Sequence, residues 1–342
     1  MIKLTEQMKA RANAILTGMT PEERAGQVFL AHCPEGDGKE LIEKYQFGGM
    51  LAFAREFQNR TPDEVRELFA GYNSVSKLPL LLAVDEEGGR VVRISKFRQY
   101  GYEPFPSPSA LFARSGWEGI AADAHKKARM LRELGLNYNL APVCDYTLDQ
   151  SVYIHDRVFG QSPEESARFV DITVRTMQAE GIACSLKHFP GYGGNSDTHR
   201  GMSRDTRSME IFESTDLIPF AAGIRASAAS VMVSHNIVDC FDPVYPSSLS
   251  EPVHRYLRQK MNFDGVIITD SLTMNAITEF SAGQNPCVRA LLCGNDMIIT
   301  SHYVKGVESV LDALHSGALP ESVLYDAVHR VLCMKLSLGL IQ

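Results

Sequence analysis

The sequence predicts an α/β protein folded as a single (β/α)8 TIM-like barrel. Three observations predict it. Eight short apolar runs recur along the 342 residues: GQVFLAH (26–32), GGMLAFA (48–54), PLLLAVD (79–85), LNYNLAP (136–142), IACSLKH (182–188), SVMVSH (230–235), GVIITD (265–270) and DMIIT (296–300). Amphipathic stretches of helical length separate most of them, an alternation that gives βα units and a parallel sheet. Polar residues able to do chemistry end several of the runs, at Asp85, Lys187–His188, Ser234–His235 and Asp270. A barrel of this kind carries its active site where its strands end.

The runs are mostly continuous rather than alternating, which suits strands buried on both faces. Residues 1–18 read as a surface helix. Thr20-Pro21-Glu22-Glu23 opens the next one, with a threonine cap, proline at the first helical position and glutamate at the third. Thr61-Pro62-Asp63-Glu64 and Ser162-Pro163-Glu164-Glu165 repeat the signature. Residues 117–134 read as a long helix before the fourth strand. Further helices are expected near 206–227, 250–261, 284–293, 304–315 and 320–336. Two long connections, 86–110 and 189–205, follow the third and fifth strands on the expected active face. Loops of that length in a compact domain are usually functional or disordered.

Bulk properties narrow the function. Hydrophobic residues make up 44% and charged residues 22%, an ordinary globular balance. The net charge of −7, with dispersed basic residues, argues against a nucleic-acid partner and for a small ligand. The seven cysteines include no C-x-x-C pair, and several fall inside apolar runs. Buried free thiols in a reducing compartment are the expectation. The polar N-terminus is not a signal peptide, and no apolar run approaches the roughly 18 residues of a membrane-spanning helix. A cytoplasmic protein with no membrane partner is expected. The chain shows no linker or low-complexity tract, so residues 1–342 are expected to form one domain, with no second α/β domain.

Candidate site residues come in clusters. VDEEGGRVVR (84–93) places Asp85 at a strand end, before a Gly88-Gly89 turn and two arginines. It reads either as a carboxylate that binds ligand hydroxyls or as an acidic loop with structural glycines. SLKHFPGYGGNSDTHRG (185–201) is the densest cluster. Lys187 and His188 point in alternate directions on a regular strand, so both face one pocket only if the strand ends there. Asp197-x-His199 is a carboxylate–imidazole pair in which the aspartate would fix the tautomer and free the other nitrogen for proton transfer. Asp270 ends a strongly apolar strand, where a carboxylate is costly unless it is used or paired; its plain alternative is a cap for a helix beginning near Leu272. Ser234, His235 and Arg157 read either as pocket residues or as partners of neighbouring groups. There is no H-E-x-x-H, no zinc spacing of His and Cys, no G-x-S-x-G and no Walker loop. No metal and no cofactor is expected.

These segments together resemble glycoside hydrolase family 3, in its short β-N-acetylglucosaminidase (β-hexosaminidase) form. The resemblance begins at MTPEERAGQVFL and runs through FGGMLAFARE, LLAVDEEGGRVVRI, NLAPVCDY, IHDRVFG, SLKHFPGYGGNSDTHRG, DLIPFAAGI, VMVSHN and GVIITDSLTMNAI to KLSLGL. It implies that Asp270 is the nucleophile and that Asp197 and His199 form an acid/base dyad. It implies that Asp85, Arg93, Arg157, Lys187 and His188 surround the sugar, with Met232, Ser234 and His235 at further pocket positions. The family usually reads KHFPGHG, whereas this chain has Tyr192 at the second histidine.

The implied reaction is a retaining hydrolysis of terminal β-linked GlcNAc from small oligosaccharides, with muropeptide fragments of a bacterial cell wall as substrate. A phosphorylase or β-glucosidase of the same family, a Schiff-base enzyme using Lys187, and a silent sugar-binding barrel are the competing readings.

Overall fold

The apolar runs become eight parallel strands: β1 (Phe29–His32), β2 (Gly49–Ala52), β3 (Leu81–Val84), β4 (Tyr138–Asn139), β5 (Ala183–Phe189), β6 (Ser230–Val233), β7 (Val266–Thr269) and β8 (Ile298–Thr300). The structure is a computed structural model that describes residues 5–194, 201–281 and 285–341. Each strand lies beside its successor, and β8 returns to β1 with Phe29 opposite Ile298. The β7–β8 seam is narrow. It is closed by an Ile268–Met297 bridge and by hydrogen bonds that include Thr269 N–H to the Met297 carbonyl at 3.1 Å and Met297 N–H to the Ile267 carbonyl at 3.1 Å. The sheet is therefore a nearly closed barrel, as the alternation of runs and helices predicts.

The continuity of the apolar runs has a simple cause. Every residue of β2, β3, β6 and β7 is buried, one set facing the barrel interior and the other the helices. Leu30, Leu51, Leu81, Tyr138, Ile268 and Ile299 belong to one interior cluster. Val331 and Met334 of the last helix (Glu321–Ser337) belong to the same cluster, so this helix packs against the strand-start end of the barrel. The strand-end face is thereby left for ligand.

The three capping boxes at Thr20, Thr61 and Ser162 form as their sequences dictate. Other boundaries shift. The helix expected from 117 starts at Pro108 and runs to Glu133, kinked at Gly116, where φ is 57° and ψ is −156°. The segment expected as one helix near 206–227 is two, Met209–Ser214 and Leu217–Arg225, separated at Thr215. The run 136–142 yields only a short strand, because Pro142 has no N–H to give the ladder; pairing resumes at Val143 opposite Lys187. The helix expected after Asp270 starts at Asn275, too far along the chain for Asp270 to cap it. A small parallel pair, Arg204–Asp205 with Ile237–Val238, lies outside the barrel.

Candidate active site

The strand ends surround a cavity of about 620 Å³. Asp85, Arg93, Arg157, Lys187, His188, Met232 and Asp270 all line it. Ser234 and His235 are fully buried and stand behind it. Asp197 and His199 lie outside the described residues.

The loop after β3 is built first. Glu86 is fully buried, and its carboxylate accepts from the backbone N–H groups of Arg93 at 2.7 Å, Ile94 at 2.9 Å and Ser95 at 3.2 Å. One carboxylate thus folds the loop back on itself and sets where Arg93 emerges. The turn between them needs glycine at position 88, where φ is 111° and a Cβ would fall 2.3 Å from the Pro106 carbonyl. The neighbouring Glu87 points into the cavity.

Glu87 anchors the charged floor. Arg157 donates to it through Nε at 3.0 Å and Nη2 at 2.8 Å, a bidentate fork, and Lys187 Nζ lies 2.5 Å away. Lys187 also donates to Asp85 at 2.7 Å, and Arg93 stands 3.6 Å from the other Asp85 oxygen. Burial alone would push the Glu87 carboxyl up, but Arg157 and Lys187 hold it far below the usual carboxylate range. Burial acts to lower the Lys187 pKa, and Asp85 and Glu87 outweigh it, so the amine stays protonated. A protonated amine is no Schiff-base nucleophile.

His188 is fixed from both sides. Its Nδ1 lies 2.7 Å from Asp145 Oδ2, and its Nε2 lies 3.2 Å from Arg157 Nη2. A guanidinium only donates, so Nε2 accepts and the proton is on Nδ1. Asp145 also accepts from the His188 and Tyr192 backbone N–H groups, at 3.2 and 2.8 Å. Lys187 and His188 both reach the cavity because β5 is irregular there: its register against β6 shifts between Leu186 and Phe189. Strict alternation would have sent one of them away.

Asp270 faces this cluster from β7. The Ser271 N–H donates to its Oδ1 at 2.7 Å. Burial would raise its pKa; the imidazoles of His235 and His188, the Ser271 N–H and Lys187 together bring it below the ordinary value. The carboxylate is ionised at neutral pH and directed at the ligand space. His235 acts through the peptide that follows: its Nε2 donates to the Ser271 carbonyl at 3.0 Å, and its Nδ1 meets Ser248 Oγ at 2.8 Å. His32, from β1, completes this side with Nε2 3.3 Å from Ser271 Oγ. Burial, with Arg55, pushes the His32 pKa down to about 4, so the ring is neutral.

The structure adds Glu87, Asp145, His32, Arg90 and Tyr153 to the residues read from sequence. Asp145 had a signal, a carboxylate at the end of NLAPVCD. His32 ends its own apolar run in the same way.

A parallel eight-stranded barrel with a carboxylate and a dense polar cluster at its strand ends is the arrangement of a barrel enzyme that works on a polar ligand. The chain belongs to glycosyl hydrolase family 3: residues 20–334 match the Glycosyl hydrolase family 3 N terminal domain. It is 32% identical to a beta-hexosaminidase of Methylococcus capsulatus over 284 residues, which cover 82% of this chain and 83% of that one. It is 36% identical over 285 residues to a beta-hexosaminidase of Xylella fastidiosa, with 79% of each chain covered. Among solved structures it is similar to a family 3 beta-N-acetylglucosaminidase of Paenibacillus sp., with a TM-score of 0.88 and 29% identity. That match covers 94% of this chain, which spans 63% of the Paenibacillus chain.

Proposed function

We propose that the protein is a retaining β-N-acetylglucosaminidase that releases terminal β-linked GlcNAc. The observation that carries this reading is Asp270, ionised at the floor of a strand-end cavity among Lys187, His188 and Arg157. Its Oδ attacks the anomeric carbon, and the bond to the leaving oxygen breaks as that oxygen takes a proton from His199. Water then attacks the same carbon and gives its proton to His199, the ester to Asp270 breaks, and configuration is retained. An imidazole does both steps near neutral pH because its unperturbed pKa is about 6.5. Asp197 orients it.

The Asp85–Lys187 and Glu87–Arg157 pairs present fixed donors and acceptors to sugar hydroxyls. The likeness to beta-hexosaminidases supports GlcNAc over glucose as the sugar. Muropeptide fragments in the cytoplasm are the proposed substrate and setting; seven free cysteines agree with a reducing compartment.

The test is covalent trapping. A slow fluorinated GlcNAc glycoside should label the peptide GVIITDSLTM, and Asp270→Asn should keep its fold and lose turnover. A label on Asp85 or Asp145, or faster cleavage of β-glucosides than of β-GlcNAc glycosides, would overturn the reading.

A further inference from the structure

We infer that Arg90, seated on Tyr153 at the mouth of the cavity, receives an anionic group on the leaving-group side of the scissile bond. This rests on the glycosidase reading above.

The deep cations are spoken for. Arg157 and Lys187 are bound to Glu87 and Asp85, and Arg93 stands beside Asp85. Arg90 differs. It lines the same cavity but is exposed, and among the described residues no carboxylate comes within ion-pair distance of it. Its two contacts are with one neutral residue. The guanidinium lies 4.5 Å from the centre of the Tyr153 ring, and Nη2 donates to the Tyr153 carbonyl at 2.6 Å. Those contacts hold the fork in one orientation, and no carboxylate among the described residues offsets its charge. A guanidinium has five N–H donors, so most of them stay available to a ligand.

The wall beneath Arg90 leads to the chemistry. Tyr153 meets Tyr192 at 6.3 Å between ring centres, and Tyr192 meets His188 at 5.4 Å. A sugar against Asp270 fills the deep end, so whatever is joined to its anomeric carbon runs toward the mouth along this wall. Among the described residues, four cationic and three carboxylate side chains line the cavity, although the whole chain carries −7.

A planar, bidentate fork suits a carboxylate or a phosphate. The anion is therefore either a carboxylate on the leaving group or inorganic phosphate. In the second case a phosphate oxygen attacks the anomeric carbon in place of water, the Asp270 ester breaks, and the sugar 1-phosphate leaves.

The experiment compares kcat/KM for 4-carboxyphenyl and 4-carbamoylphenyl β-GlcNAc in wild type, Arg90→Gln and Arg90→Lys, with and without phosphate. Taking the ratio of the two substrates within each protein, then comparing proteins, cancels the difference in leaving-group acidity. The carboxylate preference should fall roughly three- to thirtyfold in Arg90→Gln, as for loss of a partly exposed charge-assisted contact, and be partly kept in Arg90→Lys. Added salt should erode it in wild type and in Arg90→Lys but not in Arg90→Gln. If the source is phosphate, wild type instead forms GlcNAc 1-phosphate and Arg90→Gln loses that product selectively against hydrolysis. A substrate ratio and a phosphate response both unchanged in Arg90→Gln would overturn the inference. Failure of the wild type to cleave either glycoside would overturn the glycosidase reading instead.

Discussion

Arg157 Nη2 lies 3.2 Å from His188 Nε2 while Asp145 holds Nδ1 of the same ring at 2.7 Å. The imidazole is thereby locked as one tautomer between a buried cation and a buried carboxylate. Arg157 is in turn forked onto Glu87, which also binds Lys187. Each of these side chains is oriented by another, so this part of the floor is set before ligand arrives and costs little reorganisation on binding.

The first prediction follows from that lock. Asp145→Asn keeps the shape of the side chain but weakens its hold on the His188 ring. With His188 free to turn, kcat/KM on aryl β-GlcNAc should fall by about 10–100-fold, the range expected for a small misplacement of a positioning group. Near-ultraviolet circular dichroism should stay native. Unchanged kinetics would remove His188 orientation from the account.

His199→Ala tests the proposed acid/base. Substrates with poor leaving groups should suffer most, because a phenol of low pKa departs with little help from a proton. A general acid contributes roughly 10²–10⁴-fold, so the contrast should be plain in a plot of log kcat/KM against leaving-group pKa. Azide should partly restore the second step by attacking in place of activated water. An identical slope in wild type and variant would eliminate His199 as the acid, with Asp197 next in line.

Glu87→Gln should be costly to stability. It leaves Lys187 with only Asp85, and Arg157 without its carboxylate, both well buried. Removing one partner of a buried pair typically costs about 3–5 kcal/mol. Urea titration should show the midpoint falling at unchanged slope. A loss below about 1 kcal/mol, the size of an exposed pair, would mean that the network is far better solvated than its geometry implies.

Lys335 offers a pH test remote from the site. It is fully buried in the last helix, and its ammonium donates to the neutral Gln27 Oε1 at 2.7 Å, with no carboxylate in ion-pair reach among the described residues. Burial drops its pKa from 10.5 to about 7. Between those values the unfolded chain binds a proton that the folded one does not, so stability should rise with pH from about 7 to about 10.5 and level off above. Below pH 7 both states are charged and the full cost of burial remains. Lys335→Met should abolish this slope, so the gap between variant and wild type in denaturant midpoint should shift steadily across the window. Parallel curves would show that the amine is not desolvated.

The barrel and half of its floor were legible from residue order. Continuous apolar runs separated by helical stretches are what a sheet buried on both faces requires, and the three capping boxes announce themselves in four residues each. Asp85, Lys187, His188 and Asp270 were legible because a charged residue at the end of an apolar strand has either a use or a partner. Arg157 was legible only as an open choice between a pocket residue and an ion-pair partner, and Met232 entered through the family resemblance. Glu87 was hidden beside Glu86: adjacent identical residues give no sign which one folds the loop and which one faces the ligand. His32 and Asp145 ended apolar runs like the others but had no neighbouring motif to single them out.

What the sequence alone determined is the eightfold alternation and the residue types placed at the strand ends, because burial and helix capping are local and periodic. Tertiary structure decided which of those residues meet. Ser234 and His235 follow the same strand-end rule as Asp270, yet they stand behind the cavity, where His235 braces the peptide after Asp270. Lys187 finds Asp85 across 102 residues and Arg157 finds Glu87 across 70. Such pairs form only when the closed barrel brings separate strand ends onto one rim, where desolvation makes each buried charge depend on a partner that its own segment does not contain.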